Sequence, residues 1–320
     1  MRVAAIDCGT NTLRLFIAAL DADGSLRELD RRLTFVGLGE GVDATGCFAP
    51  DALARAFRAC EQYSEIIADL DCTRTRFVAT SATRDASNRE ELFAGVRERM
   101  GIEPEVISGV EESELSFAGA VNGIRCPDNP VLVMDSGGGS TELVRGTAAC
   151  RPDTVTAVER GVSLDIGSRR LRERILHGDP PTADEIGEAR GLVRRELDDA
   201  ALDLSGIGSF IGVAGTVTSM TALALRLRRY DRARVHGATM SASAVHGVTG
   251  GLLTSTVAEV TSWGPVQPQR AEVLCAGALI VDEVVRRVGS AEIIASEADV
   301  LDGVALGLLS DGPDQELRSR

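Results

Sequence analysis

The sequence predicts an α/β protein of two domains, on three observations. Strand-like and helix-like segments alternate along the chain. Its 320 residues exceed what one hydrophobic core usually organises. A ten-residue segment at 6–15, IDCGTNTLRL, recurs without a gap at 134–143 as MDSGGGSTEL.

Residues 3–6 and 13–19 read as strands around a short turn. Residues 50–70 read as a helix. Pro50 suits its first turn, and Leu53, Phe57, Cys60, Ile67 and Leu70 recur at helical spacing. A strand at 76–80 leads into the polar loop SATRDASN, where Ser87 and Glu90 have the spacing of a capping box for a helix ending near Met100. A short strand at 105–107 precedes a helix from about 110 to 122. The breaker-rich stretch RCPDNP at 125–130 is the expected boundary, giving domains 1–125 and 126–320. Strands are expected beyond it at 131–135, 140–145, 154–158, 209–213 and 291–295. Helices are expected at about 163–176, 182–200, 216–229, 241–253, 268–287 and 299–309, the last able to pack back on the first domain. The tail from residue 310 is expected to be disordered.

Apolar residues at 44% and charged residues at 26% are the composition of a soluble globular protein. The longest apolar run, 273–281, is far short of the roughly 18 residues of a membrane span. The N-terminus enters a strand directly, without signal-peptide architecture. Seven cysteines are scattered with no C-x-x-C, so neither a zinc site nor a disulfide framework is expected, and the reading is of a reducing cytoplasm. A net charge of −14 argues against nucleic-acid partners, and repels small polyanions at long range; with no membrane-length apolar run, no membrane partner is expected. A phosphorylated substrate therefore needs local cations or backbone donors. Every basic residue is arginine, whose planar fork pairs bidentately with phosphate.

The recurrent segment has physical content. Each copy is a hairpin with an aspartate, Asp7 or Asp135, ending its first strand. A small, glycine-rich turn follows, in which backbone N–H groups can converge on an anion. Hydroxyls of Thr10, Thr12, Ser140 and Thr141 add donors.

These residues resemble the exopolyphosphatase/guanosine pentaphosphate phosphohydrolase family, within the actin-like, sugar-kinase-like ATPases. DCGTNTLRL is similar to its first phosphate loop. DSGGGSTELV is similar to its second, where Ser136 stands in place of the usual Ile or Leu. TSATRDASN (80–88), VISGVEESE (106–114), GVAGTVTSMTAL (212–223), HGATMSAS (236–243), RAEVLCAGALIV (270–281) and SEADVLDGVALGL (296–308) follow in the family's order. The resemblance implies two ribonuclease-H-like domains flanking an active-site cleft. No histidine is followed by Asp, so the chain resembles the short form that lacks an HD-type module.

The implied reaction is hydrolysis of a terminal phosphoanhydride. It needs a positioned water, a base and neutralised charge on the transferred group. Glu111 and Glu112 compete as base. Ser108 and Glu111 have capping-box spacing, which would tie Glu111 to the helix start and leave Glu112 free to face the cleft. The family's catalytic glutamate also falls on Glu112, with Ser113 replacing its usual Ala. By resemblance Asp135 and Glu142, with Asp7, hold Mg²⁺ or another divalent cation and orient water. Mg²⁺ takes one or two carboxylates plus phosphate oxygens.

Arg14 and Arg84 are the implied phosphate clamps. Gly9, Thr10, Asn11, Thr12, Gly137, Gly138, Gly139, Ser140 and Thr141 are the loop donors. GVAGT at 212–216 is equally a packing turn or an anion site, and GLGEG at 37–41 reads as a connecting loop. The three histidines read as structural, and Cys8 as a packed, inert thiol. The implied substrate is inorganic polyphosphate, or alternatively guanosine pentaphosphate, and the implied assembly is a homodimer. A kinase of the same superfamily and a non-catalytic polyphosphate sensor are the alternatives of another class.

Overall fold

The computed structural model describes residues 1–21, 26–150 and 155–310. The chain divides into two compact units, one of Met1–Ser108 joined by the segment from Val300, the other of Gly109–Asp299. The division falls before the helix at 109–123, whereas the breaker-rich link at 125–130 follows it.

The first unit comprises β1 (Arg2–Cys8), β2 (Thr12–Leu20), β3 (Leu26–Phe35), α1 (Val42–Thr45), α2 (Pro50–Asp69), β4 (Arg74–Ala79), α3 (Ser81–Asp85), α4 (Arg89–Met100) and β5 (Glu105–Val106). The second comprises α5 (Gly109–Gly123), β6 (Val131–Ser136), β7 (Thr141–Thr147), β8 (Ala157–Leu164), α6 (Ser168–Arg174), α7 (Ala183–Ala200), β9 (Ser209–Val213) and α8 (Ala214–Ala224). It continues with α9 (Arg232–Val235), β10 (Thr239–Ser241), α10 (Ala242–Leu253), α11 (Val257–Thr261), α12 (Pro268–Val288) and β11 (Glu292–Ala295). The last helix, α13 (Val300–Ser310), packs on β1, β2 and β4 of the first unit, where Asp302 takes the Arg31 guanidinium at 2.8 Å.

The first sheet runs β3-β2-β1-β4-β5, with β1 antiparallel to β2 and parallel to β4. The second runs β10-β11-β9-β6-β7-β8, with β6 antiparallel to β7 and parallel to β9. The recurrent segments are thus the same β-hairpin in each sheet, placed on the same neighbours. Alternation along β6 sends Leu132 and Met134 into the core beside α6, α7, α8, α10 and α12, and Val131 and Val133 into a smaller core under α5. Asp135 continues the second row and Ser136 the first.

Four sequence expectations need correction. Residues 163 and 164 belong to β8 rather than to a helix, which begins only at Ser168. Their pairing with Glu142 and Thr141 outweighs a short helical turn. Ser87 is not a cap: its hydroxyl donates to the Gly46 carbonyl at 2.9 Å, and Asn88 precedes α4. The loop at 81–85 is the short helix α3. Finally, Cys126 and Cys150 form a disulfide. They flank the β6–β7 hairpin, so the antiparallel pairing brings their Cα atoms to 5.0 Å, a closeness that sequence spacing does not display. The strand β3, rich in Arg, Asp and Glu, has no apolar run to announce it and is formed by its pairing with β2. The expected disordered tail lies outside the described residues, apart from Ser310. No helix among the described residues is long and apolar enough to cross a membrane.

Candidate active site

The second hairpin carries the acidic site. Asp135 and Glu142 are direct cross-strand partners on β6 and β7, and Glu142 is in turn the partner of Ser163 on β8. Directly opposed residues on antiparallel strands share a face, so the three side chains form one row. The Ser163 hydroxyl donates to Glu142 Oε1 at 2.7 Å. The helix α5 packs over β6, β7 and β8. Its Glu112 and Ser116 lie one turn apart and share a helix face. Ser116 Oγ donates to Asp135 Oδ2 at 2.6 Å, which turns that face toward the carboxylate row.

Glu112, Asp135 and Glu142 are all buried, at 8%, 7% and 1% exposure. Glu142 feels the consequence. Burial foremost, then the neighbouring charges of Glu112 and Asp135, raise its carboxyl well above the ordinary value, against opposing hydrogen bonds from Ser163 and Ser140. Sequence spacing leaves Glu111 and Glu112 in competition; Glu112 is the one buried beside Glu142, and Glu111 is more exposed. Ser113, in place of the family's Ala, is satisfied within its own helix by the Gly109 carbonyl at 2.7 Å.

The glycine loop between β6 and β7 is buttressed from behind. Gly137 closes the turn by donating to the Ser140 carbonyl at 3.0 Å. The Gly137 carbonyl accepts from the Ser168 N–H at 2.9 Å, and the Gly138 carbonyl from Arg169 at 2.9 Å and Arg170 at 3.2 Å. A trans peptide sets each N–H opposite the preceding carbonyl. The N–H groups of Gly138 and Gly139 are therefore turned away from α6, as a donor nest for an anion requires. Thr141 Oγ1 ties the same segment by donating to the Ile166 carbonyl at 2.7 Å. A Cβ on Gly167 would lie 2.4 Å from the Gly138 carbonyl group, so only glycine permits this approach.

The first hairpin repeats the device. Gly9 donates to the Thr12 carbonyl at 3.0 Å. The Thr10 carbonyl accepts from Gly39 at 2.7 Å, and the Asn11 carbonyl from Val36 and Gly37 at 3.0 Å. The segment GLGEG is therefore more than a connection: its backbone sets the orientation of the first loop, as residues 166–170 set that of the second. Both supports follow the third strand of their sheet. Sequence reasoning missed them because they act through main-chain N–H groups, although the glycines of GLGEG and LDIGS were the available signal.

The charge pattern of the two hairpins differs. Arg14 is the cross-strand partner of Asp7 and binds it through Nε at 2.9 Å and Nη2 at 2.6 Å. Arg84 Nη1 donates to the Ile107 carbonyl at 2.9 Å, which holds one edge of its guanidinium just past the end of β5. Cys8 is fully buried, and burial, then Cys60 and Asp7, push its thiol well above the ordinary value. His236 serves structure: Nδ1 accepts from the Glu297 N–H and Nε2 meets the Gly123 carbonyl at 2.9 Å.

The acidic row suits a hard divalent cation. All its donors are oxygen, two of them are directly paired carboxylates, and burial, then the neighbouring Glu112 and Asp135, raise Glu142. No cluster of three or more His, Cys, Asp or Glu side chains with metal-site geometry occurs among the described residues.

The profile of the Ppx/GppA phosphatase family matches residues 17–311. Exopolyphosphatase 2 of Mycobacterium tuberculosis is 42% identical over 321 residues, covering 96% of this chain and 98% of that protein. Among solved structures, an exopolyphosphatase-like protein superposes with a TM-score of 0.90 at 41% identity, covering 96% of this chain and 97% of the other. The Ppx/GppA family member of Aquifex aeolicus gives 0.82 at 28% identity, covering 98% and 99%. The fold is the two-domain, ribonuclease-H-like fold of the actin-like ATPases.

Proposed function

Because this chain belongs to the Ppx/GppA phosphatase family, we propose that it is an exopolyphosphatase that removes orthophosphate from the end of inorganic polyphosphate. The observation that carries the reading is the buried row of Glu112, Asp135 and Glu142 beside a glycine loop whose N–H groups are turned outward for an anion.

In this reading the terminal phosphoryl group lies on the N–H groups of Gly138 and Gly139; contrary to the sequence expectation, the hydroxyls of Ser140 and Thr141 are committed to Glu142 and to the Ile166 carbonyl and brace the loop instead. Glu112 takes a proton from water as the water oxygen attacks the terminal phosphorus. The bridging P–O bond breaks, and its electron pair stays on the shortened chain. Asp135 and Glu142 would hold Mg²⁺, which when bound neutralises phosphate charge and orients the water. Ser116 holds Asp135 and Ser163 holds Glu142 in the orientation that this demands. By family resemblance, Gly9, Thr10, Asn11, Thr12 and Arg84 are the phosphate-loop residues of the first unit's own hairpin. Arg14 orients Asp7 within that group. Loop and arginine donors stabilise charge on the leaving chain. The reading includes a homodimer, taken from the family resemblance, and a cytoplasmic location, taken from the scattered cysteines and the strand-like N-terminus. The Cys126–Cys150 bridge removes the cysteine argument for a reducing compartment.

A single phosphate-release panel tests the proposal: tripolyphosphate, long-chain polyphosphate, guanosine pentaphosphate and ATP, each with and without Mg²⁺. Mg²⁺-dependent release from polyphosphate in preference to both nucleotides is expected. Preference for guanosine pentaphosphate would move the assignment to that substrate. ATP turnover only with an added acceptor would make the protein a kinase. Tight polyphosphate binding without release would make it a sensor.

A further inference from the structure

Residues 226–234, RLRRYDRAR, place five arginines in nine positions of a chain whose net charge is −14. Arg226, Arg228, Arg229 and Arg234 are exposed. None of the four has a carboxylate partner among the described residues. Exposed arginines without an acid partner among the described residues also stand elsewhere, as at Arg58, Arg89, Arg125 and Arg195, but nowhere else do four fall within nine positions. Unanswered like charges held close together repel one another and weaken the fold, so their concentration here calls for an external anion.

The segment is held in place. Leu227 and Val235 bury their side chains at its two ends. Asp231 caps α9 by accepting from the N–H groups of Ala233 and Arg234. Tyr230 Oη and Arg232 Nε both donate to Glu297, the latter at 3.2 Å. Only Arg232 of the five is thereby neutralised.

Its position follows from the sheet. Glu297 comes two residues after β11. The strands β11, β9 and β6 are parallel neighbours, and their carboxyl ends carry Ala295, Val213 and Ser136. The arginines therefore stand at the same edge of the sheet as the glycine loop, two strands away. Two strand spacings are roughly 10 Å.

We propose that Arg226, Arg228, Arg229 and Arg234 bind the distal phosphates of a polyphosphate whose terminal group lies at Gly138 and Gly139, making the enzyme selective for long chains. The inference rests on the exopolyphosphatase reading. Guanidinium forks pair bidentately with phosphate oxygens, and a row of them holds a repeating anion without fixing its register. A chain of three phosphates, one of them at the loop, leaves too few for four guanidinium forks, whereas a long chain can supply one to each.

The test is the quadruple variant Arg226→Gln, Arg228→Gln, Arg229→Gln, Arg234→Gln, with a fourfold Arg→Lys variant as the charge-preserving control. Tripolyphosphate serves as the short reference. The ratio of kcat/KM for long chains to kcat/KM for tripolyphosphate should fall about tenfold or more in the Gln variant, with a shallower salt dependence. The Lys variant should recover most of the ratio. Equal ratios in wild type and Gln variant would overturn the proposal.

Binding of long-chain polyphosphate in EDTA, read by a filter assay, separates this failure from that of the underlying reading. Wild type that releases no phosphate yet binds polyphosphate more tightly than the Gln variant refutes the hydrolase and keeps the surface. Equal binding by the two refutes the surface. A single-stranded RNA oligonucleotide bound through the same arginines, with polyphosphate binding unaffected, would replace the proposal with a nucleic-acid surface.

Discussion

Asp135 and Glu142 face each other across β6 and β7 in the position that Asp7 and Arg14 hold across β1 and β2. One copy of the hairpin balances its aspartate with a guanidinium. The other opposes it with a second acid and adds Glu112 from α5. The same backbone device thus carries one charge-balanced cross-strand pair and one purely acidic pair.

This imbalance sets a pH dependence. Glu142 is raised in the folded protein by burial, Glu112 and Asp135. The unfolded chain releases that proton at a lower pH, so stability is full below the ordinary glutamate range and falls as pH rises through the folded value. Each unit of elevation costs about 1.4 kcal/mol once pH exceeds both values. Thermal melts of metal-free protein should therefore show Tm decreasing from pH 5 to pH 8. Glu142→Gln should flatten that slope and raise Tm at pH 8, and Mg²⁺ should raise Tm in wild type only. A variant melting in parallel with wild type at both pH values would refute the account of Glu142.

Gly167 tests the buttress behind the second loop. Its φ of −143° is open to any residue, so alanine meets only the contact with Gly138 and Gly139, at 2.4 and 2.5 Å. Overpacking of this kind costs about 1–3 kcal/mol. Gly167→Ala should lower Tm modestly and phosphate release severely, because the displaced atoms are the loop's own backbone. Unchanged turnover would show that the loop's orientation does not depend on residues 166–170.

Ser136 concerns stability. It is 2% exposed, its hydroxyl has no hydrogen-bond partner among the described residues, and alternation along β6 points it away from the acidic row. Removing an unsatisfied buried hydroxyl relieves a desolvation penalty of about 1–3 kcal/mol, less the packing lost. Ser136→Ala should hold or raise the urea midpoint. A drop of more than about 1 kcal/mol would reveal a partner for that hydroxyl.

Much of this is legible in the sequence, and for a physical reason. The gap-free recurrence of 6–15 at 134–143 reflects hairpin register, which an insertion would break, so Asp7, Arg14, Asp135 and Glu142 can be matched by their spacing alone. Long helices such as α2 and α12 announce themselves through Pro at their first position and a buried stripe. Contributions made by the main chain stay hidden. Gly39 and Ser168 act through their N–H groups, which no side-chain pattern records. Ser163 is hidden by its neighbours, since 163–176 has helical periodicity and only pairing with β7 reveals a strand. The Cys126–Cys150 bridge depends on the two ends of a hairpin meeting, a tertiary fact.

The most direct measurement of the central claim is phosphate release from long-chain polyphosphate by Glu112→Gln, at saturating Mg²⁺, beside its affinity for the same chain. The amide keeps the shape of the side chain and cannot accept the proton of the attacking water. Release should fall by roughly 10²–10⁴-fold, with polyphosphate affinity and Tm close to wild type. Release within a few-fold of wild type would contradict the assignment of Glu112 as the base and, with it, the reading of the acidic row as the centre of hydrolysis.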